Sequence, residues 1–227
     1  MILLQVLADT TKLVQTQPQQ YDKLNLFDLA LKGGWLMIPI AALAVIAAYL
    51  FLERFIVIKK YANIDKNFMN KIRDLVKGGN IEGAKALCMA SDTPISKMIE
   101  KGLSRIGNPL KDIAASIENQ ANLEISKLEK RLPALATIAG AEPMLGFLGT
   151  VTGMIKAFYA ISKASSNVDP GVLAGGIYEA MVTTAAGLMV GIPALIAYNY
   201  LAALIKKVVF NMEATSVEFM DLLHEPV

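Results

Sequence analysis

The chain holds one cysteine, Cys88, and one histidine, His224, among 227 residues. A lone thiol leaves no intramolecular disulfide framework, and a single histidine in a tail offers no metal site. Charge is sparse as well: charged residues make up 19% of the chain and the formal net charge is +2. Its lysines and arginines sit beside apolar runs and form no stripe with aromatics, which argues against a nucleic-acid partner. The sequence has no serine nucleophile elbow, no His-Glu-x-x-His zinc motif and no P-loop, so neither an enzyme nor a cofactor is expected. No strand-like alternation occurs between Lys60 and Arg131, which points to an all-α protein.

Apolar residues are what the chain has in excess. They reach 54% with a mean hydropathy of +0.45, too apolar for an ordinary soluble domain. Three runs meet the requirement of roughly 20 mainly apolar residues for a bilayer-crossing helix. The first, Trp35 to Leu52, has no charge and lies in a span placed at 34–56. The second occupies 132–161 and contains Glu142 and Lys156, and the third occupies 177–205 with Glu179 near its start. The expectation is an integral membrane protein in the lipid bilayer, with three transmembrane helices.

Arg54, Lys59 and Lys60 follow the first span, Lys127, Lys130 and Arg131 precede the second, and Lys206 and Lys207 follow the third. By the positive-inside rule these flanks are cytoplasmic, which puts the N-terminus outside and the C-terminus inside. Segment 1–33, read as an uncleaved amphipathic helix and linker, and the loop 162–176 then lie outside, while 57–131 and the tail 206–227 lie inside. In the inner region Phe68, Ile72, Leu75 and Val76 mark one helix that stops at Gly78. Ala84, Leu87 and Cys88 mark a second, and Ile95, Met98, Ile99 and Leu103 a third. From Leu110 the apolar stripe runs through Leu128 into the second span, so the two read as one rod bent at Pro133 and Pro143.

The later spans exceed what a bilayer needs, and their ends are expected to bury against further copies of the chain. Gly146, Gly149 and Gly153 on the second span, with Gly187 and Gly191 on the third, are spaced for close helix approach, within one subunit or between subunits. Carboxylates inside a membrane favour an ion path. By helical rise Thr184 sits roughly 7 Å inward of Glu179, and Glu142 roughly 12 Å inward of Thr150. If the two threonines share a level, a polar track joins the two sides. The bland alternatives are threonines bonded to neighbouring carbonyls, Glu142 hydrated near the inner headgroups, and Lys156 snorkelling to the outer interface.

Two blocks carry a family resemblance. The stretch Gly146-Phe147-Leu148-Gly149-Thr150-Val151-Thr152-Gly153-Met154 is the first. Gly176-Ile177-Tyr178-Glu179-Ala180-Met181-Val182-Thr183-Thr184-Ala185-Ala186-Gly187-Leu188, with Ile192-Pro193-Ala194 and Tyr198-Asn199 after it, is the second. In this order and topology they resemble the ExbB, TolQ and MotA family of proton-channel motor proteins, ExbB most closely. The resemblance implies a homopentameric ring in the bacterial inner membrane whose second and third spans line a pore around an ExbD-like single-span partner. That partner brings the titrating aspartate, and the output goes to a TonB-like protein that drives outer-membrane import. Thr150 and Thr184 are similar to the family's pore threonines, and Glu179 to its glutamate near the outer end of the third span. Glu142 departs from the pattern, where a small neutral residue precedes the proline. Three spans disfavour a MotA-like stator, which has four. TolQ-like envelope maintenance and a non-conducting membrane scaffold remain as alternatives, and a secondary transporter is a poor fit without an internal repeat.

Overall fold

A computed structural model describes residues 33–62, 67–163 and 170–224. The expected amphipathic segment therefore falls, except for Gly33, outside the described residues. Seven helices are described: α1 (Met37–Ala62), α2 (Phe68–Lys77), α3 (Ile81–Ser91), α4 (Pro94–Leu103), α5 (Leu110–Glu129), α6 (Leu132–Lys163) and α7 (Pro170–His224). Three stretches are long and apolar enough to cross a membrane: Met37–Tyr61, Leu110–Lys163 and Pro170–His224.

The short helices begin and end where the local chemistry dictates. Asn80 accepts the Gly83 N–H at 2.9 Å at the start of α3. At α4, Thr93 and Ser96 cap each other reciprocally, at 3.1 and 2.8 Å, with Pro94 on the first turn, an arrangement that satisfies two otherwise orphaned N–H groups. Together α2 to α5 bury Phe68, Ile72, Met98, Ile99, Leu103, Ile113 and Ile117. They do so against the far end of α7, whose Met212, Phe219 and Leu222 belong to the same core or its edge. Arg73 on α2 clasps Glu218 at 2.7 Å. Residues 206–224 are thus no loose tail but the last turns of the same 55-residue helix, about 80 Å long at 1.5 Å per residue.

The expected rod is broken once. Helix α5 stops at Glu129, Lys130 is extended, and Arg131 takes a left-handed φ of 72° before α6 begins at Leu132. Pro133 fits the break: it has no N–H for the Glu129 carbonyl, and it sits in the first turn of α6, where no N–H donor is needed. The break is held by charge. Arg131 bonds Glu53 of α1, and the buried Arg54 guanidinium donates to the Lys127 carbonyl at 3.3 Å, at the negative end of the α5 dipole. Pro143 and Pro193, by contrast, sit inside continuous helices.

Cys88 is 1% exposed, and burial, with Glu100 adding to it, pushes its thiol up to about 12. It packs as a small hydrophobe and is a poor chemical probe of topology.

Helices α6 and α7 run antiparallel along a seam of small residues. A Cβ on Gly187 would meet the Glu142 carbonyl oxygen at 2.6 Å and the Gly146 Cα at 2.9 Å, and one on Gly149 would meet the Thr183 side chain. Gly146, Gly153 and Gly191 face the same seam. All five glycines therefore serve packing within one chain. Helix α1 lies beside both, parallel to α7, with Phe55 against Tyr200 at 6.2 Å. Because lipid is as apolar as the helices, close backbone approach has to supply the association that water supplies elsewhere.

The backbone atoms facing Gly187 cannot yield, so Gly187→Ala is expected to cost about 1–3 kcal/mol by overpacking. Thermal unfolding of the detergent-purified chain measures it, with Gly140→Ala as control because a Cβ there meets nothing within 4 Å. An unchanged midpoint for Gly187→Ala would show that the seam is looser than described.

The threonine face of the α6 and α7 pair: a candidate functional site

Viewed from one end, two antiparallel helices wind in opposite senses. A residue that follows a seam position therefore falls, 100° round, to the same side of the pair on both helices. Thr150 follows Gly149 and Thr184 follows Thr183, and Gly149 and Thr183 face each other across the seam. The two threonines thus share one side, and both are half-buried. They are not level. Thr184 donates across the seam to the Gly146 carbonyl at 2.8 Å, which puts it opposite Gly146 and one turn, about 6 Å, from Thr150. Thr150 donates to the Phe147 carbonyl of its own helix at 2.6 Å. Both hydroxyl protons are engaged, and the oxygens keep acceptor capacity.

Their surroundings are apolar. Phe147, Met154 and Phe158 on α6, with Met181, Leu188 and Leu195 on α7, also follow seam positions, and all are exposed in the single chain. Toward the α5 end this side opens into a groove of about 730 Å³ that includes Ala136, Ala202, Lys206, Glu129 and Glu213. An apolar wall with two hydroxyls and a charged mouth is the arrangement on this side.

Glu179 lies elsewhere. Glu179 and Lys156 precede the seam residues Ala180 and Ala157, so they fall on the opposite side, where they form an ion pair at 2.9 Å. The turn that leads into α1 occupies that side: a Cβ on Gly34 would meet the Glu179 carboxylate. The buried Thr183 hydroxyl reaches the Gly33 carbonyl at 3.0 Å and the Glu179 carbonyl at 2.8 Å. Lys156 is therefore a bound partner of Glu179, where the sequence suggested a snorkelling lysine. Opposite charges at matching ends of the two spans were the available signal. Thr183 had none, because its neighbour Thr184 carries the same side chain.

Glu142 contradicts its expected hydration. It is 0% exposed, and neither carboxylate oxygen has a hydrogen-bond partner. It points into the interior of the chain, on neither the threonine side nor a headgroup surface. Among the described residues no group of acidic, cysteine and histidine side chains could hold a metal ion.

Residues 90–214 match the MotA/TolQ/ExbB proton channel family, a stretch that covers more than half of the chain and holds both threonines, Glu142, Lys156 and Glu179. The chain belongs to that family. It is 31% identical over 188 residues to the putative biopolymer transport protein ExbB-like 1 of Synechocystis sp., covering 79% of this chain and 72% of that one. It is 41% identical over 103 residues to the Tol-Pal system protein TolQ of Haemophilus influenzae, 45% of each chain. A putative ExbB homolog of Methanothermobacter thermautotrophicus is 28% identical over 183 residues, 80% of this chain and 64% of the relative. The matched stretch thus spans less than two thirds of these last two relatives. As a family member with three apolar helices of spanning length, the chain is a multi-pass membrane protein.

The ion pair generates a prediction. Lys156 is half-exposed in the single chain, so solvent screens the pair and its stability contribution is small. If it acts as a unit in proton-driven activity, Lys156→Gln with Glu179→Gln loses no more than Glu179→Gln alone. Multiplied losses in a vesicle proton-flux assay would mean that the two act separately.

Proposed function

We propose that this chain is the channel-forming subunit of an ExbB–ExbD-like inner-membrane motor that uses the proton motive force to energise TonB-dependent outer-membrane import. Five copies form a ring with the threonine faces inward, around the transmembrane helix of an ExbD-like partner whose output reaches a TonB-like protein. The N-terminus is periplasmic, and helices α2 to α5 with the end of α7 are cytoplasmic. The observation that carries this reading is the convergence of Thr150 and Thr184 on one side of the α6 and α7 pair, in an apolar wall that a single chain leaves uncovered.

The chemistry suits a carboxyl group that must change charge. A threonine oxygen with its proton committed to a carbonyl can accept from a protonated acid, and the same hydroxyl, turned, can donate to a carboxylate. Turning costs the net value of one hydrogen bond, about 1 kcal/mol. One charge crossing the membrane releases about 2.3 kcal/mol per 100 mV. The switch is therefore affordable within a single proton step, and a smooth apolar wall lets the partner's helices move while it happens.

The 41% identity to TolQ over the matched stretch favours one second reading, a TolQ-like subunit for envelope maintenance. Mass spectrometry of the co-purified partner separates the two.

The double variant Thr150→Val and Thr184→Val keeps side-chain shape and removes both hydroxyls. The ring is expected to assemble and purify with its partner while proton flux in reconstituted vesicles and energised uptake in cells fall to background. Native flux with normal assembly would make the hydroxyls packing groups and the chain a scaffold.

A further inference from the structure

Glu142 is the buried ionisable group that the threonine path does not use. Its burial is internal to one chain, so assembly cannot expose it further. Around it the titratable side chains are few: α6 has no other from Leu132 to Ile155, α1 has only Tyr49 from Met37 to Leu52, and α7 only Tyr198 and Tyr200 from Met181 to Ile205. No basic side chain on these three stretches can pair with it. A carboxylate without a counter-charge in such a place is prohibitively costly. Something positive has to be held there.

The backbone says what. Pro143 has no N–H to give the Ala139 carbonyl one turn earlier, so that oxygen loses its usual helical donor. Ala139 and Glu142 are three residues apart on one face, and a long helical side chain leans toward the N-terminal turn. The same carbonyl lies at the seam, 3.4 Å from where a Cβ on Gly191 would be. An orphaned acid thus lies within one helical turn of a carbonyl short of a donor. A carboxylate cannot use that carbonyl, whereas a carboxylic acid can donate to it. A metal cation would need several more oxygens than these, and a proton needs one.

We propose that Glu142 is a proton-binding site inside each protomer, with the Ala139 carbonyl as acceptor, and that it exchanges its proton when α1, α6 and α7 part enough to admit water. The carrier role rests on the proton-channel reading above; the bound proton does not. Glu142 lies roughly 12 Å along α6 from Thr150, on the side of the α5 end. It is placed to take up or release protons between the threonine level and that end.

The test is infrared difference spectroscopy on the purified full chain, wild type against Glu142→Gln, in water and in deuterium oxide, with either sodium or choline as cation. A protonated-carboxyl band that is lost in E142Q, shifts to lower frequency in deuterium oxide and ignores sodium is expected. Equal spectra in that region would show an ionised Glu142 and overturn the proposal. A band that disappears when sodium replaces choline would overturn it in favour of a cation site. Should E142Q fail to fold, Glu142→Asp supplies the assignment, because the band then moves instead of vanishing. In vesicles E142Q, which can neither take up nor release a proton, is expected to lower flux several-fold, and Glu142→Met to raise the melting temperature while lowering flux. Native flux in E142Q would remove the carrier role. Loss of flux in the double valine variant beside an ionised Glu142 would leave the channel reading standing without this one.

Discussion

The contact between α6 and α7 at Gly149 and Gly187 is the constraint on which the remaining geometry depends. Helix association in lipid has no hydrophobic drive and relies on packing at short range. With backbone facing backbone at Gly187, the two helices cannot rotate about their axes without a clash. Their rotation fixes which residues fall to either side. That fixed rotation turns a small-residue motif into a two-sided wall.

One side of the wall carries α1. The turn before that helix lies against Glu179 while Lys156 stays half-exposed, and the Thr183 hydroxyl ties that region to the Gly33 carbonyl. The other side, with Thr150 and Thr184, is left uncovered. Lys156 and Glu179 pair on the α1 side, while on the other side the Thr150 and Thr184 hydroxyls donate to helix carbonyls and keep acceptor capacity. The same division continues past the break at Lys130 and Arg131, where the groove with Glu129, Lys206 and Glu213 opens on the threonine side. At the break Arg131 and Glu53 join α1 to the start of α6. The three spans are thus joined to the helical bundle formed by α2 to α5 and the end of α7 through this ion pair and the unbroken α7.

Much of this was legible in the sequence. Length and hydropathy marked three spans, and the stop at Gly78 with the separate apolar sets around Cys88 and Met98 marked α2, α3 and α4, because helix periodicity and its interruptions are local properties. What periodicity could not decide was rotation. It placed the five glycines on faces but not which helix each face meets, and so left packing within or between subunits open. Thr150 and Thr184 were legible as residues, while their offset of one turn depends on a register set only by packing. Pro133 was read as a bend in one rod, and a full break was not, because the apolar stripe continues across it. Glu142 was misread because depth along one helix says nothing about orientation around it: a carboxylate near an inner headgroup and one sealed between helices have the same neighbours in sequence.

The central claim is that the side of α6 bearing Thr150 faces the aqueous path and the side bearing Lys156 does not. Single cysteines at Phe147, Thr150 and Met154, and at Leu145, Thr152 and Lys156, in a Cys88→Ala background, test it directly. Proton flux is measured in vesicles containing the chain with its co-purified partner, before and after a small water-soluble thiol reagent. The account predicts modification and block at 147, 150 and 154, with the second set unreactive or reactive without block. Block confined to 145, 152 and 156 would contradict it and place the path on the α1 side.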